Sequence, residues 1–250
     1  MENWLVQQLR FSAFIQSASH ELLVNIWELI STDNPDTDEA RPREGFRRLA
    51  TTADDGSQLE LILMPGRIDV IQSLAATAEI LPVADLGEAI PKIASFINQI
   101  STMLSGLNAD VQIQRIALGL ILIRPVASRE DAYRELQSLL PVTLDPVTSR
   151  DFMYQINHPE QFSIGQDSIE LHRLSRWSAL QRQHFTVQFF AASASTQTGL
   201  TSGDNFIRCE VDNSTQADRT EPLPRDSIVL LLNQLVTLAN RTSVGERLVA

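Results

Sequence analysis

The chain has 250 residues, 43% of them hydrophobic, and a formal net charge of −11. A chain of that length buries a sizeable core without disulfide or metal staples, and its single cysteine, Cys209, excludes an internal disulfide framework and any cysteine-rich zinc site. The charge argues against broad nucleic-acid binding, which depends on neutralising phosphates, and favours a protein partner of basic character. Lys92 is the one lysine, so nearly every cation is an arginine, the side chain better suited to buried and interfacial pairing. The opening stretch MENWLVQQLRFSAFIQSASHELL lacks the charged start, apolar core and small-residue cleavage site of a signal peptide, so a cytoplasmic setting is expected.

In chain order, LRFSAFIQ reads as a strand. Ser17 or Ser19 then caps the helix HELLVNIWELIS, whose Leu22, Leu23, Ile26, Trp27 and Ile30 recur on one face. STDNPDTDEARPRE, Ser31 to Glu44, is dense in turn formers and reads as a disordered loop. Strands EGFRRLATT, QLELILM and RIDVIQSL follow, separated by the turn signals Asp55-Gly56 and Pro65-Gly66. The helical segment LGEAIPKIASFINQISTML closes this part of the chain.

The most apolar run is QRIALGLILIRP, Gln114 to Pro125. Its core, Ile116 to Ile123, falls far short of the about 20 residues a membrane-spanning helix needs, and Pro125 ends it. A buried strand covered on both faces fits the pattern. Ser128 then caps a helix, with Asp131 three positions on giving a capping box, and Ala132, Leu136, Leu139 and Leu140 share a face. The strand-like runs DFMYQIN, SIELHRLSRWSAL, HFTVQFF and FIRCEVD come next, with HPEQFSIGQD and the mobile-looking AASASTQTGLTSGDN between them, before the helix LPRDSIVLLLNQLVTLANR.

The order of elements repeats. Sliding Ser19 onto Ser128 lays LRFSAFI over LGLILIR, and Asn98-Gln99 matches Asn233-Gln234. The expectation is an α+β protein of duplicated β-α-β-β-β-α halves, 1–108 and 109–250, forming mainly antiparallel sheet with helices packed on it as one globular unit.

Phosphate-loop, dinucleotide, zincin, nucleophile-elbow and EF-hand motifs are absent from the sequence, and no cofactor is expected. The densest polar region is Asp151 to His184. Asp151, His158, Glu160, His172 and His184 converge if their strands are neighbours, which would suit a ligand, a metal or acid–base work. Arg173, Arg176 and Arg182 beside Trp177 and Phe185 instead have the composition of a protein-binding hot spot. Alternation puts Leu171, Arg173, Ser175 and Trp177 on one strand face and Glu170, His172, Leu174 and Arg176 on the other, and it groups Cys209 with Ile207 and Val211 as a buried structural thiol.

Two functional readings follow. The first is a non-enzymatic protein–protein interaction module: a subunit, adaptor or inhibitor of the immunity type. The second is a ligand-sensing or metal-dependent enzymatic domain with its site between the halves. An open antiparallel sheet also offers an edge for homodimerisation.

Overall fold

The computed structural model describes residues 1–16, 19–75, 85–108, 110–165, 167–190 and 195–246, with the side chains of 182–202 outside the description. The chain is α+β, built on one nine-stranded antiparallel sheet and four helices. The strands are β1 (Leu5–Ile15), β2 (Thr37–Arg41), β3 (Phe46–Thr52), β4 (Ser57–Met64), β5 (Arg67–Leu74), β6 (Ile113–Val126), β7 (Met153–Ile164), β8 (Asp167–Phe190) and β9 (Ser195–Thr215). The helices are α1 (His20–Ile30), α2 (Ala89–Gly106), α3 (Arg129–Leu139) and α4 (Ile228–Ser243). Across the sheet the order is β2-β3-β4-β5-β1-β6-β9-β8-β7, so β1 and β6 pair at its middle, with Phe11 opposite Leu118.

Helix starts follow their caps. The Ser19 hydroxyl accepts from the Leu22 amide and the Ser128 hydroxyl from the Asp131 amide, satisfying one orphan donor in each first turn. The Asp131 carboxylate completes the box differently from the usual pattern: it accepts from the Ser128 hydroxyl itself at 2.7 Å.

The helices share one face of the sheet. α2 packs on β1 and α4, α4 on β6, β8 and β9, α3 on β8 and β9, and α1 on α2 and β4. That face supplies Leu9, Phe11 and Ala13 from β1, Leu118, Leu120 and Leu122 from β6, and Cys209 and Val211 from β9, all buried. β6 is apolar on its other face as well, where Ala117 and Ile123 are also buried. No helix covers that second side among the described residues. Arg10 from β1 lies across it instead, and a Cβ on Gly119 would stand 3.3 Å from Arg10 Nε.

Three expectations need correction. Ser31 to Glu44 is not one loop: it contains the edge strand β2, held by Arg47 donating to both Asp38 oxygens at 2.9 and 2.8 Å. HPEQFSIGQD does not lie between strands, because His158 to Ile164 continues β7 and Asp167 begins β8. SIELHRLSRWSAL and HFTVQFF are a single strand, and 195–205 is part of β9, with 191–194 outside the described residues. Pro159 gave the impression of a break, yet β7 is the outermost strand, where a missing N–H is tolerated.

Candidate functional site

Two concentrations of polar side chains stand out, one beneath the helices and one on the bare side of the sheet. The first is built on Arg173, whose side chain is fully buried among Leu171, Trp177 and α4. A buried guanidinium is costly without a charged partner, and the partner comes from the end of the chain. Arg173 Nη1 donates to Glu246 Oε2 at 2.9 Å, and the Ser175 hydroxyl donates to Glu246 Oε1 at 2.7 Å. His158 Nε2 lies 3.3 Å from Glu246 Oε2, and Glu160 bridges outward, 3.7 Å from Arg173 Nε and 2.7 Å from Arg241 Nη1. Burial, then the nearby Glu246, pushes the Tyr154 phenol upward.

The strand register explains which expected residues meet here. His158 stands opposite Arg173 on the β7–β8 pair, and Glu160 opposite Leu171, so both point to the helix side. His172 takes the other face, where its Nδ1 is 2.9 Å from Asn157 Nδ2 and its Nε2 is 3.2 Å from Glu170. Asp151 precedes β7 in a left-handed backbone conformation and is exposed. The proposed group Asp151, His158, Glu160 and His172 is therefore split, and no group of three or more His, Cys, Asp or Glu side chains among the described residues could hold a metal ion. Glu246, the anchor of the cluster, carries no signal in the sequence: it sits 73 positions from Arg173.

The binding set also divides. Arg173 and Trp177 are buried beneath the helices, whereas Arg176 reaches the bare face and bonds Gln155 at 2.9 Å and Glu210 at 3.3 Å. The side chains of Arg182 and Phe185 lie outside the described residues, as does that of His184. Cys209 is fully buried, and burial, with Glu246 and Glu210 adding to it, raises its thiol pKa well above the ordinary value. A protonated, enclosed thiol is no nucleophile.

The second concentration lies on the helix-free face, centred on β1 and β6. Ser12 pairs with Asp69 and Phe14 with Arg67 on one side, and the same two residues pair with Ala117 and Arg115 on the other. Arg67 grips Asp69 through Nε at 2.8 Å and Nη2 at 2.6 Å, and the Ser12 hydroxyl donates to the same carboxylate. Arg10 stands 3.8 Å from Asp212; farther out, Arg48 pairs with Glu60 at 2.7 Å and Arg208 with Glu210 at 3.3 Å.

Arg115 differs from these neighbours. Its Nη2 donates to the neutral Ser214 hydroxyl at 3.0 Å, and its buried Nε, like that of Arg208, has no hydrogen-bond partner. The guanidinium lies 4.7 Å from the centre of the Phe14 ring, and Arg67 is 5.7 Å from the same centre. Burial lowers the Arg115 pKa, Asp212 opposes that, and the like charge of Arg67 adds to it. On the helix-free face, among the described residues, the hydrogen bonds and ion pairs of Arg115 alone include no carboxylate. Compared with protein-family models, with curated proteins and with solved structures, the chain matches none.

Proposed function

We propose that this chain is a non-enzymatic protein–protein interaction module, a subunit, adaptor or inhibitor, that docks its partner on the helix-free face of the sheet. The observation that carries this reading is the one-sided packing: four helices lie on one face, and the other, among the described residues, carries charged side chains from Arg48 on β3 to Arg176 on β8. Nine strands at about 4.8 Å spacing span roughly 40 Å, enough for the about 800 Å² that each partner contributes to a standard interface. Arginines held in place by carboxylates, with intermediate-exposure Ile62, Ile71 and Leu174 among them, match the mix of such surfaces.

The buried cluster supports the same reading from the other direction. His158 and Glu160, two of the four residues the alternative ligand or metal site would use, are engaged with Glu246 and Arg241 beside the buried Arg173. Their arrangement is that of a structural network beneath the helices.

The two runs β1-α1-β3-β4-β5-α2 and β6-α3-β7-β8-β9-α4 follow one order and meet through β1 and β6. We take them as duplicated halves, 1–108 and 109–250, with β2 as an addition to the first. The order of the strands puts the β1–β6 seam near the middle of the docking face. The β7 edge is the place open to a second copy: it is 12 residues long and carries one carboxylate, Glu160, whereas β2 has five residues and three charged ones.

Photo-crosslinking tests the docking face. A photoreactive residue at Ile62 or Leu174 gives the same discrete adduct in host lysate, and one at Leu230, exposed on α4, does not. Adducts from Leu230 alone, or none from either face position, overturn the reading.

A further inference from the structure

We propose that Arg115, flanked by Arg10 and Arg67, receives a carboxylate from an acidic side chain of the partner protein. This rests on the docking reading above and names the chemistry of its centre.

The local charge is the first argument. Arg67 is neutralised by Asp69 through two close contacts, and Arg10 faces Asp212 at the longer distance of 3.8 Å. Among the described residues, Arg115 has only the neutral Ser214 hydroxyl as a hydrogen-bond acceptor. The centre of the face is therefore cationic on a chain whose formal net charge is −11. At physiological salt, screening over about 8 Å lets this local excess outweigh the distant acidic groups.

Geometry is the second. A guanidinium offers a rigid planar fork that matches a carboxylate with two parallel N–H bonds. The guanidinium lies over the Phe14 ring, 4.7 Å from its centre, and the Ser214 hydroxyl holds one end. An arginine so held is already oriented when a partner arrives, which reduces the ordering cost of association.

The surroundings select the ligand. Asp69 and Asp212 stand beside the three arginines, so a doubly charged phosphate meets two carboxylates, whereas a single carboxylate leaves the group near neutrality. A second copy of this chain docked face to face about the same centre would set Arg115 against its own equivalent, because a two-fold contact is self-matching. The occupant is thus a local acidic segment of a different protein, which a partner of basic overall character can also carry.

The test uses the full chain, labelled for NMR of the arginine Nε–H groups, in about 0.15 M salt, titrated separately with hexaglutamate peptide, acetate and inorganic phosphate. The peptide is expected to shift the Arg115 Nε–H signal saturably, with acetate moving the same signal more weakly. Arg115→Gln weakens the peptide's apparent affinity about tenfold or more, and Arg115→Lys, which keeps the charge without the fork, by a smaller factor. Saturation by phosphate but not by peptide overturns the proposal. So do peptide shifts across the face that are unchanged in Arg115→Gln, although those leave the docking reading standing. An Arg115 signal that moves no more with peptide than with added chloride also overturns it, and the crosslinking result then judges the docking face separately.

Discussion

Arg173 and Glu246 form an ion pair at 2.9 Å with both side chains almost wholly removed from solvent, 0% and 1% exposed. The pair ties the segment after α4 to the first third of β8, and it explains how a charged residue sits on the same strand face as Leu171 and Trp177. Removing one member strands the other. Glu246→Ala should lower stability by about 3–5 kcal/mol, toward the smaller value because Glu160 stands 3.7 Å from Arg173. The double replacement Arg173→Met with Glu246→Leu should recover much of that loss, since well-packed apolar side chains replace buried ion pairs with little penalty. Urea unfolding of Glu246→Ala, of the single replacements Arg173→Met and Glu246→Leu and of the double variant checks both values, and additive losses in the double variant would refute the coupling.

Gly245 sets up that contact. Its φ is +111°, and a Cβ there would come within 2.6 Å of the Leu139 carbonyl oxygen at the end of α3. Gly245→Ala must therefore push the terminal segment off α3 and carry Glu246 away from Arg173. Its loss of stability is expected to match that of Glu246→Ala, and the two substitutions combined should cost little more than either alone.

Ser128 is a direct test of local reasoning. Its hydroxyl accepts from the Asp131 amide and donates to the Asp131 carboxylate, and the second of these bonds, with Arg134 adding to it, holds that carboxyl below its usual range. Ser128→Ala should cost about 1 kcal/mol, whereas Ser128→Asn should cost less. A thermal melt of each is sufficient, and equal melting temperatures for wild type and Ser128→Ala would contradict the cap.

Cys209 gives the pH dependence. Its folded thiol pKa is raised by burial, with Glu246 and Glu210 adding to the effect. The unfolded thiol titrates near about 8.5. Above that pH the unfolded chain has lost a proton the folded chain keeps, so stability falls as pH rises, by at most about 1.4 kcal/mol per pH unit. Wild type should therefore lose more stability than Cys209→Ala between pH 7 and 9.5. Thiol reagents should modify native protein only as fast as it unfolds, and rapid modification at pH 7 would refute the burial.

Much of this fold was legible residue by residue. Ser128, and Ser19 as one of two candidates, announced their helices, the apolar run around Leu118 announced the central strand, and period-two alternation sorted Leu171 to Trp177 correctly between the two faces. These signals are local, decided by sterics and hydrogen bonds within a few residues. What stayed hidden was long-range. Glu246 meets Arg173 only after β8 and α4 are packed, and no spacing rule links them. Pro159 marks a stop in most contexts, and its acceptance here depends on β7 being an edge, a property of the whole sheet. Arg115 was visible beside the apolar run, but β6 is apolar on both faces, so its pattern could not tell which side the helices cover.

Light scattering at two concentrations addresses the β7 edge. A second copy paired there gives a mass that rises with concentration, and replacing Asn157 with proline should abolish the rise by removing a donor from the strand. A monomeric mass at both concentrations removes the edge from the account and leaves the docking face untouched.

The most direct test of the central claim is native mass spectrometry of the chain drawn gently from its own host, beside a Leu174→Arg variant altered on the helix-free face. The account predicts a stoichiometric additional protein mass on the wild type that is lost from the variant while its melting temperature stays close to that of the wild type. A bare chain, or one carrying only a small-molecule or metal mass in both samples, would contradict it.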